Sequence, residues 1–146
     1  MEKSIALSKF EEKFRTNDLL IFESDHWKWC LRPSHPVIGS SILFIKRPCS
    51  SLSEVTDEEA LDLMNMNRII EKTLKSKMNF TILNYFVLML VDKHFHFHII
   101  PRFEHPIIFV EQKWIDKDWP NPPKLNAHVL EDDLLELIKN ELVSAI

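Results

Sequence analysis

His94-Phe95-His96-Phe97-His98-Ile99-Ile100-Pro101 is the stretch on which the fold turns. On a β-strand successive side chains point to opposite faces, so His94, His96 and His98 share one face at intervals of about 6.6 Å, while Phe95, Phe97 and Ile99 fill the other. A helix would fan the imidazoles around its axis, where they could not meet one small ligand. The aromatic and β-branched residues favour the strand, and Pro101 reads as its stop. One face is then chemical and the other belongs to a core.

Immediately upstream, Asn79 to Val91 alternates and runs apolar, which predicts a strand buried on both faces. Asp92-Lys93 is the only polar break before the histidines, so the two strands form a tight antiparallel hairpin or a bent continuation. Further upstream, Thr56-Asp57-Glu58-Glu59 is a capping box that opens a long helix over about Asp57 to Lys77. Ala60, Leu63, Met64, Ile70, Leu74 and Met78 recur near helical spacing, so one side packs on the sheet. Leu19–Glu23 and Trp27–Arg32 read as paired strands around a Ser24-Asp25 turn, and Ser41–Ile45 as a third strand closed by Lys46-Arg47-Pro48. Ser4 to Phe14 is a short amphipathic helix. Downstream, Ile107 to Val110 is an edge strand, Trp114 to Pro123 is too Pro-rich for a helix or central strand, and Leu130 to Leu142 is a carboxy-terminal helix. The sum is an α+β fold: an antiparallel sheet of about five strands with one long and one C-terminal helix, in a single domain spanning residues 1–146.

Composition narrows the function. Hydrophobic residues make up 45% and charged ones 27%, which is globular and rules out wholesale disorder. A net charge of -4 leaves no basic footprint, so nucleic acid is not the expected partner. Cys30 and Cys49 are too few for a disulfide framework or a metal knuckle, and no apolar run approaches a membrane span or a signal peptide. A cytoplasmic protein without membrane partners is the expectation. Gly39 is the only glycine, which excludes every Gly-rich phosphate cradle.

Three readings of the histidines compete. A neutral imidazole whose far nitrogen donates to a fixed acceptor can attack a phosphorus or acyl centre, with neighbouring imidazoles donating to the developing charge. An H-x-H pair on a strand can hold zinc, although His26, His35, His105 and His128 stand at no standard ligand spacing from it. The third is a strand whose polar face is simply rich in histidine. Three on one face, backed by aromatics, favour the first.

His94 to Ile100 matches the H-φ-H-φ-H-φ-φ signature of the histidine triad family of nucleotide hydrolases and transferases, and Pro101-Arg102 follows as in many members. The resemblance continues elsewhere. Ile38 to Pro48 looks like the family's early turn and strand, Ser51 to Glu59 like the lead into its long helix, and Asn84 sits near its phosphate-side asparagine. Trp114, Asp116 and Trp119-Pro120 resemble the tail of a bacterial, diadenosine polyphosphate hydrolase-like branch.

This resemblance implies a homodimer that joins two sheets into one, with the active site near the interface. It also implies that His96 attacks the α-phosphorus of a nucleotide to form a nucleotidyl-histidine that water hydrolyses. His94 orients and polarises, and His98 contacts phosphoryl oxygens or the leaving group. The substrate is dinucleoside polyphosphate-like or a nucleoside phosphoramidate, and the scheme needs no metal or other cofactor. Asn84 donates to phosphate or ribose, or else satisfies backbone. Arg32 approaches ribose or phosphate, or is a solvated loop residue. One of Trp27 and Trp29 is core, and Trp29 is the candidate to stack on a base. Where members carry Gly, Gln and Ser or Thr before the first histidine, this chain has Met89-Leu90-Val91-Asp92-Lys93, leaving Lys93 as a point charge in their place. Ser40 stands where many members have a histidine, with His35 nearby. A non-catalytic nucleotide-binding module is the alternative, and a zinc hydrolase the third.

Overall fold

The computed structural model describes residues 5–146; Ser4, where the first helix is expected to begin, lies outside them. Strands β1 (Leu20–Glu23), β2 (Trp27–Leu31), β3 (Ser41–Ile45), β4 (Ile82–Phe86) and β5 (His96–Arg102) form one antiparallel sheet in the order β1-β2-β3-β5-β4. Helices α1 (Ile5–Lys13), α2 (Asp57–Met78) and α3 (Asp132–Val143) complete the expected α+β fold. A separate hairpin of β6 (Ile107–Phe109) and β7 (Gln112–Trp114) puts Trp114 at the end of a short strand rather than in a loop.

The register sorts every side chain to a face. Phe44 lies opposite His96, Ile42 opposite His98, and Cys30 opposite Ile42, so these residues share the histidine face. Trp27, Trp29, Leu43, Ile45 and Ile99 alternate onto the other face and join the main core with Met66, Ile70 and Leu74 of α2 and Leu135 and Ile138 of α3. The two faces are therefore covered by different helices. On the histidine face the cover is α1, whose Leu7 and Phe10, with Phe14 just beyond its end, cluster with Cys30, Ile42 and Phe44.

The long helix starts as its sequence dictates. The Thr56 hydroxyl accepts from the Glu59 amide at 3.2 Å, and the Glu59 carboxylate accepts from the Thr56 amide at 2.9 Å. Arg47 then grips the same carboxylate through Nε and Nη2 at 2.7 and 2.9 Å, and this bonding lowers the Glu59 pKa to about 2. Asn79 ends α2 in the left-handed region at φ 47°. Gly39 turns the chain into β3 at φ +90°, where an added Cβ would stand 2.7 Å from Met78 Sδ and 2.9 Å from Pro101 Cγ.

Three expectations are corrected. The strand expected over Asn79 to Val91 shrinks to Ile82–Phe86, an edge strand with Ile82 exposed, so it is not buried on both faces. Residues 87–95 are irregular, so no tight hairpin joins it to the histidines and His94 precedes β5 rather than lying in it. Pro101 does not stop the strand but sits inside it, opposite Leu83. The Arg102 carbonyl accepts from Thr81 on the β4 side, so Pro101 turns toward β3, whose last pair is Ser41 with Ile99. The missing proline N–H costs no ladder bond there.

Candidate active site

The three triad rings sit together on the α1 side of the sheet, His94 and His96 almost wholly enclosed and His98 7% exposed. His94 Nε2 is 2.6 Å from the Ile45 carbonyl, and His96 Nδ1 is 2.5 Å from the His94 carbonyl. A carbonyl only accepts, so His96 carries its proton on Nδ1 and keeps a lone pair on Nε2. That Nε2 has no partner among the described residues. His98 has the opposite tautomer: Arg32 Nη1, which only donates, lies 3.3 Å from His98 Nδ1, so the proton is on Nε2. The two rings meet edge to face with centroids 4.9 Å apart. One therefore offers a lone pair where its neighbour offers a donor.

Burial keeps both rings neutral. It holds His96 below its ordinary value, and it pushes His98 to about 3 with help from the Arg32 charge. Arg32 is itself placed by the loop after β2. His35 Nε2 donates to the Arg32 carbonyl at 2.8 Å, and His35 Nδ1 accepts from the Gly39 amide at 3.0 Å. His35 is thus a staple of the Arg32 loop, half-buried and likewise pushed by desolvation to about 3.

A cavity of about 570 Å³ opens beside His98, of a size that holds a nucleotide-like ligand. Lys13, Arg32, Ser34, Asp92 and Asn126 supply its polar lining. Lys13 reaches Asp92 at 2.8 Å and so ties the end of α1 to the loop before the triad. Upstream of the tail residues that line the cavity, the chain is anchored to β5: Arg102 binds Asp116 through Nε at 2.6 Å and Nη2 at 3.1 Å, and Nη2 also donates to the Asn121 carbonyl at 2.7 Å. His96 does not reach the cavity. Phe10 of α1 packs on its ring at 4.8 Å and Phe14, just past the helix, at 6.4 Å, so the two seal His96 in this conformation.

The candidate binding residues separate. Arg32 lines the cavity. Trp29 does not: it lies on the opposite face, fully buried, with its indole N–H on Ser41 Oγ at 2.8 Å, because the even residues of β2 are the ones that share the histidine face. Lys93 is exposed and donates to the Leu90 carbonyl at 3.2 Å, away from the cavity lining. Asn84 is on the triad face but level with Ile100, where Oδ1 accepts from Arg102 Nη1 at 3.4 Å; the residue opposite His98 is Phe86. Among the described residues, no three His, Cys, Asp or Glu side chains gather to hold a metal ion, so the H-x-H pair lacks a third ligand. Phe10, Phe14, Lys13, Asp92, Ser34 and Asn126 carry no local sequence signal that points to the triad.

The model of the HIT domain matches residues 16–105, a stretch that contains the whole triad. The chain belongs to the histidine triad (HIT) family. Solved structures agree in fold. A histidine triad protein from Bradyrhizobium japonicum is 18% identical with a TM-score of 0.75, and the match covers 95% of each chain. One from Sinorhizobium meliloti is 17% identical with a TM-score of 0.73, covering 90% of this chain and 93% of that one. A hypothetical histidine triad nucleotide-binding protein from Sulfolobus tokodaii is 16% identical with a TM-score of 0.67, covering 87% and 82%. No curated protein matches the chain. In this HIT protein the seal over His96 is contributed by α1, which lies outside the matched stretch.

Proposed function

We propose that this HIT protein is a nucleotide hydrolase or transferase that works through a nucleotidyl-histidine on His96. The single observation that carries the reading is the pair of fixed, opposite tautomers: an unpartnered His96 Nε2 lone pair next to a His98 ring that donates from Nε2. Nε2 attacks the α-phosphorus and the bond from phosphorus to the leaving group breaks. His98 hydrogen-bonds the phosphoryl oxygens or the departing group, and the His94 carbonyl steadies the positive charge that the attack creates on His96. Water then attacks the same phosphorus, the P–N bond breaks, and a mononucleotide leaves. Dinucleoside polyphosphate-like compounds and nucleoside phosphoramidates suit this chemistry, as in the bacterial diadenosine polyphosphate hydrolase-like branch. Because Phe10 and Phe14 cover His96, substrate entry requires α1 to shift.

Two further parts of the reading rest on the surface. β4 is an unpaired sheet edge, and Ile82, Val87, Leu90 and Val91 on and beyond it are exposed, which supports pairing of two copies across that edge. Among the described residues no helix is long and apolar enough to cross a membrane, and both cysteines are unbridged, which suits a cytoplasm.

The seal over His96 favours a second reading, a nucleotide-binding module without turnover. Quenching the protein in base during reaction with a labelled dinucleoside polyphosphate separates the two. The first predicts a phosphoramidate on His96, and turnover that vanishes in His96→Ala while nucleotide still binds. Saturable binding with no trapped intermediate supports the second, and wild-type turnover in His96→Ala overturns the nucleophile assignment.

A further inference from the structure

Two arginines are deeply buried in this fold, and they are treated differently. Arg102, 3% exposed, has the Asp116 carboxylate on two of its nitrogens. Arg32, 6% exposed, has no carboxylate in ion-pair contact among the described residues: its partners are the His98 ring at 3.3 Å, Ser34 Oγ at 3.1 Å and the Leu125 carbonyl at 3.2 Å, all neutral. Its Nε is buried with no partner. The nearest candidate acid, Asp92, is occupied by Lys13 at 2.8 Å, so the two cancel and the cavity keeps the net charge of Arg32. A guanidinium removed from water without a counter-charge is costly, and buried charges in folded proteins are ordinarily paired.

The position of that charge matters as much as its sign. His98 stands between Arg32 and His96, bonded to one through Nδ1 and touching the other edge to face. An anion received by Arg32 is therefore not the phosphoryl group that His96 would attack. Ser34, from the loop after β2, touches the guanidinium, and Asn126, from the tail, lines the same cavity; both can donate to oxygen.

We propose that the cavity beside the triad is an oxyanion subsite in which Arg32 supplies the missing counter-charge partner for a second phosphate-like group of the ligand. The anion takes Arg32 Nη2 from the Ser34 and Leu125 oxygens, and a guanidinium fork is the side chain best shaped to hold such a group. The link to substrate choice rests on the hydrolase reading; anion capture itself does not. With His96 as the anchor, the subsite selects nucleotides that carry at least one phosphate beyond the one attacked.

Inorganic pyrophosphate, AMP and ADP, titrated at low ionic strength into His96→Ala protein by calorimetry, test this without turnover. ADP is expected to bind at least tenfold tighter than AMP, with that ratio falling to about one when Arg32→Gln is added and partly recovering with Arg32→Lys. Pyrophosphate binding should fall at least tenfold in Arg32→Gln. If pyrophosphate binds through Arg32 but neither nucleotide does, the subsite stands and the nucleotide reading fails. Absent pyrophosphate binding, or equal binding in Arg32→Gln, overturns the subsite. Should Arg32→Gln not fold, the Arg32 Nε–H resonance of the wild-type chain decides: a saturable shift with pyrophosphate supports the proposal and an unmoved signal overturns it.

Discussion

Lowering the pH should unfold this protein earlier than its carboxylates would. His35 has both ring nitrogens committed, Nε2 to the Arg32 carbonyl and Nδ1 to the Gly39 amide, so a second proton would face an N–H donor. His98 has Nδ1 committed to an arginine that only donates. Burial holds both near 3 against an ordinary value of 6.5, and His96 is lowered in the same direction. The unfolded chain therefore takes up protons below 6.5 that the native state refuses, so stability is full above that pH and falls as pH drops toward 3. Each such ring costs about 1.4 kcal/mol per pH unit, so His35 and His98 together remove about 5 kcal/mol between about pH 6.5 and 4.5. That is a large part of a typical domain's stability. Glu59, lowered from 4.5 to about 2 chiefly by Arg47, adds its share only below that window. Urea unfolding followed by fluorescence of the buried Trp27 and Trp29 measures the loss. His35→Gln keeps a donor and an acceptor but does not titrate, and should cut the decline by about half, about 2 kcal/mol. A wild-type stability that stays flat within about 0.5 kcal/mol down to about pH 5 would refute the argument, since the rings would then be protonating inside the fold.

Phe10→Ala should lose about 3 kcal/mol of stability and speed the modification of His96 by diethyl pyrocarbonate; unchanged protection of His96 would show that Phe10 is not the seal. Asp116→Ala strands the Arg102 charge in the interior and should cost about 3–5 kcal/mol in urea unfolding, while loosening the tail to protease near Asn121. Removing the helix cap with Thr56→Ala should cost about 1 kcal/mol, measurable as a lower melting temperature with the fold intact by circular dichroism.

The chain by itself determined what depends on near neighbours. The alternation of His94, His96 and His98 places them on one face, and the bond that fixes the His96 tautomer runs to a carbonyl only two residues back. The Thr56–Glu59 box is equally local and stands as expected. The limits of local reading are visible in Val87 to Val91, where an apolar run looked like a buried strand: β5 begins too late to pair with it, and Leu90 and Val91 are exposed instead. Only the tertiary structure decided what surrounds the triad. Arg32 meets His98 across 66 residues of chain, Lys13 meets Asp92 across 79, and neither spacing carries a period that could announce the contact. An amphipathic helix such as α1 reveals that it will bury one side but not which face of which sheet it will cover, because hydrophobic burial is non-directional. Register and chain connectivity make that choice, and they set Phe10 on His96 and left Arg32 without an anion.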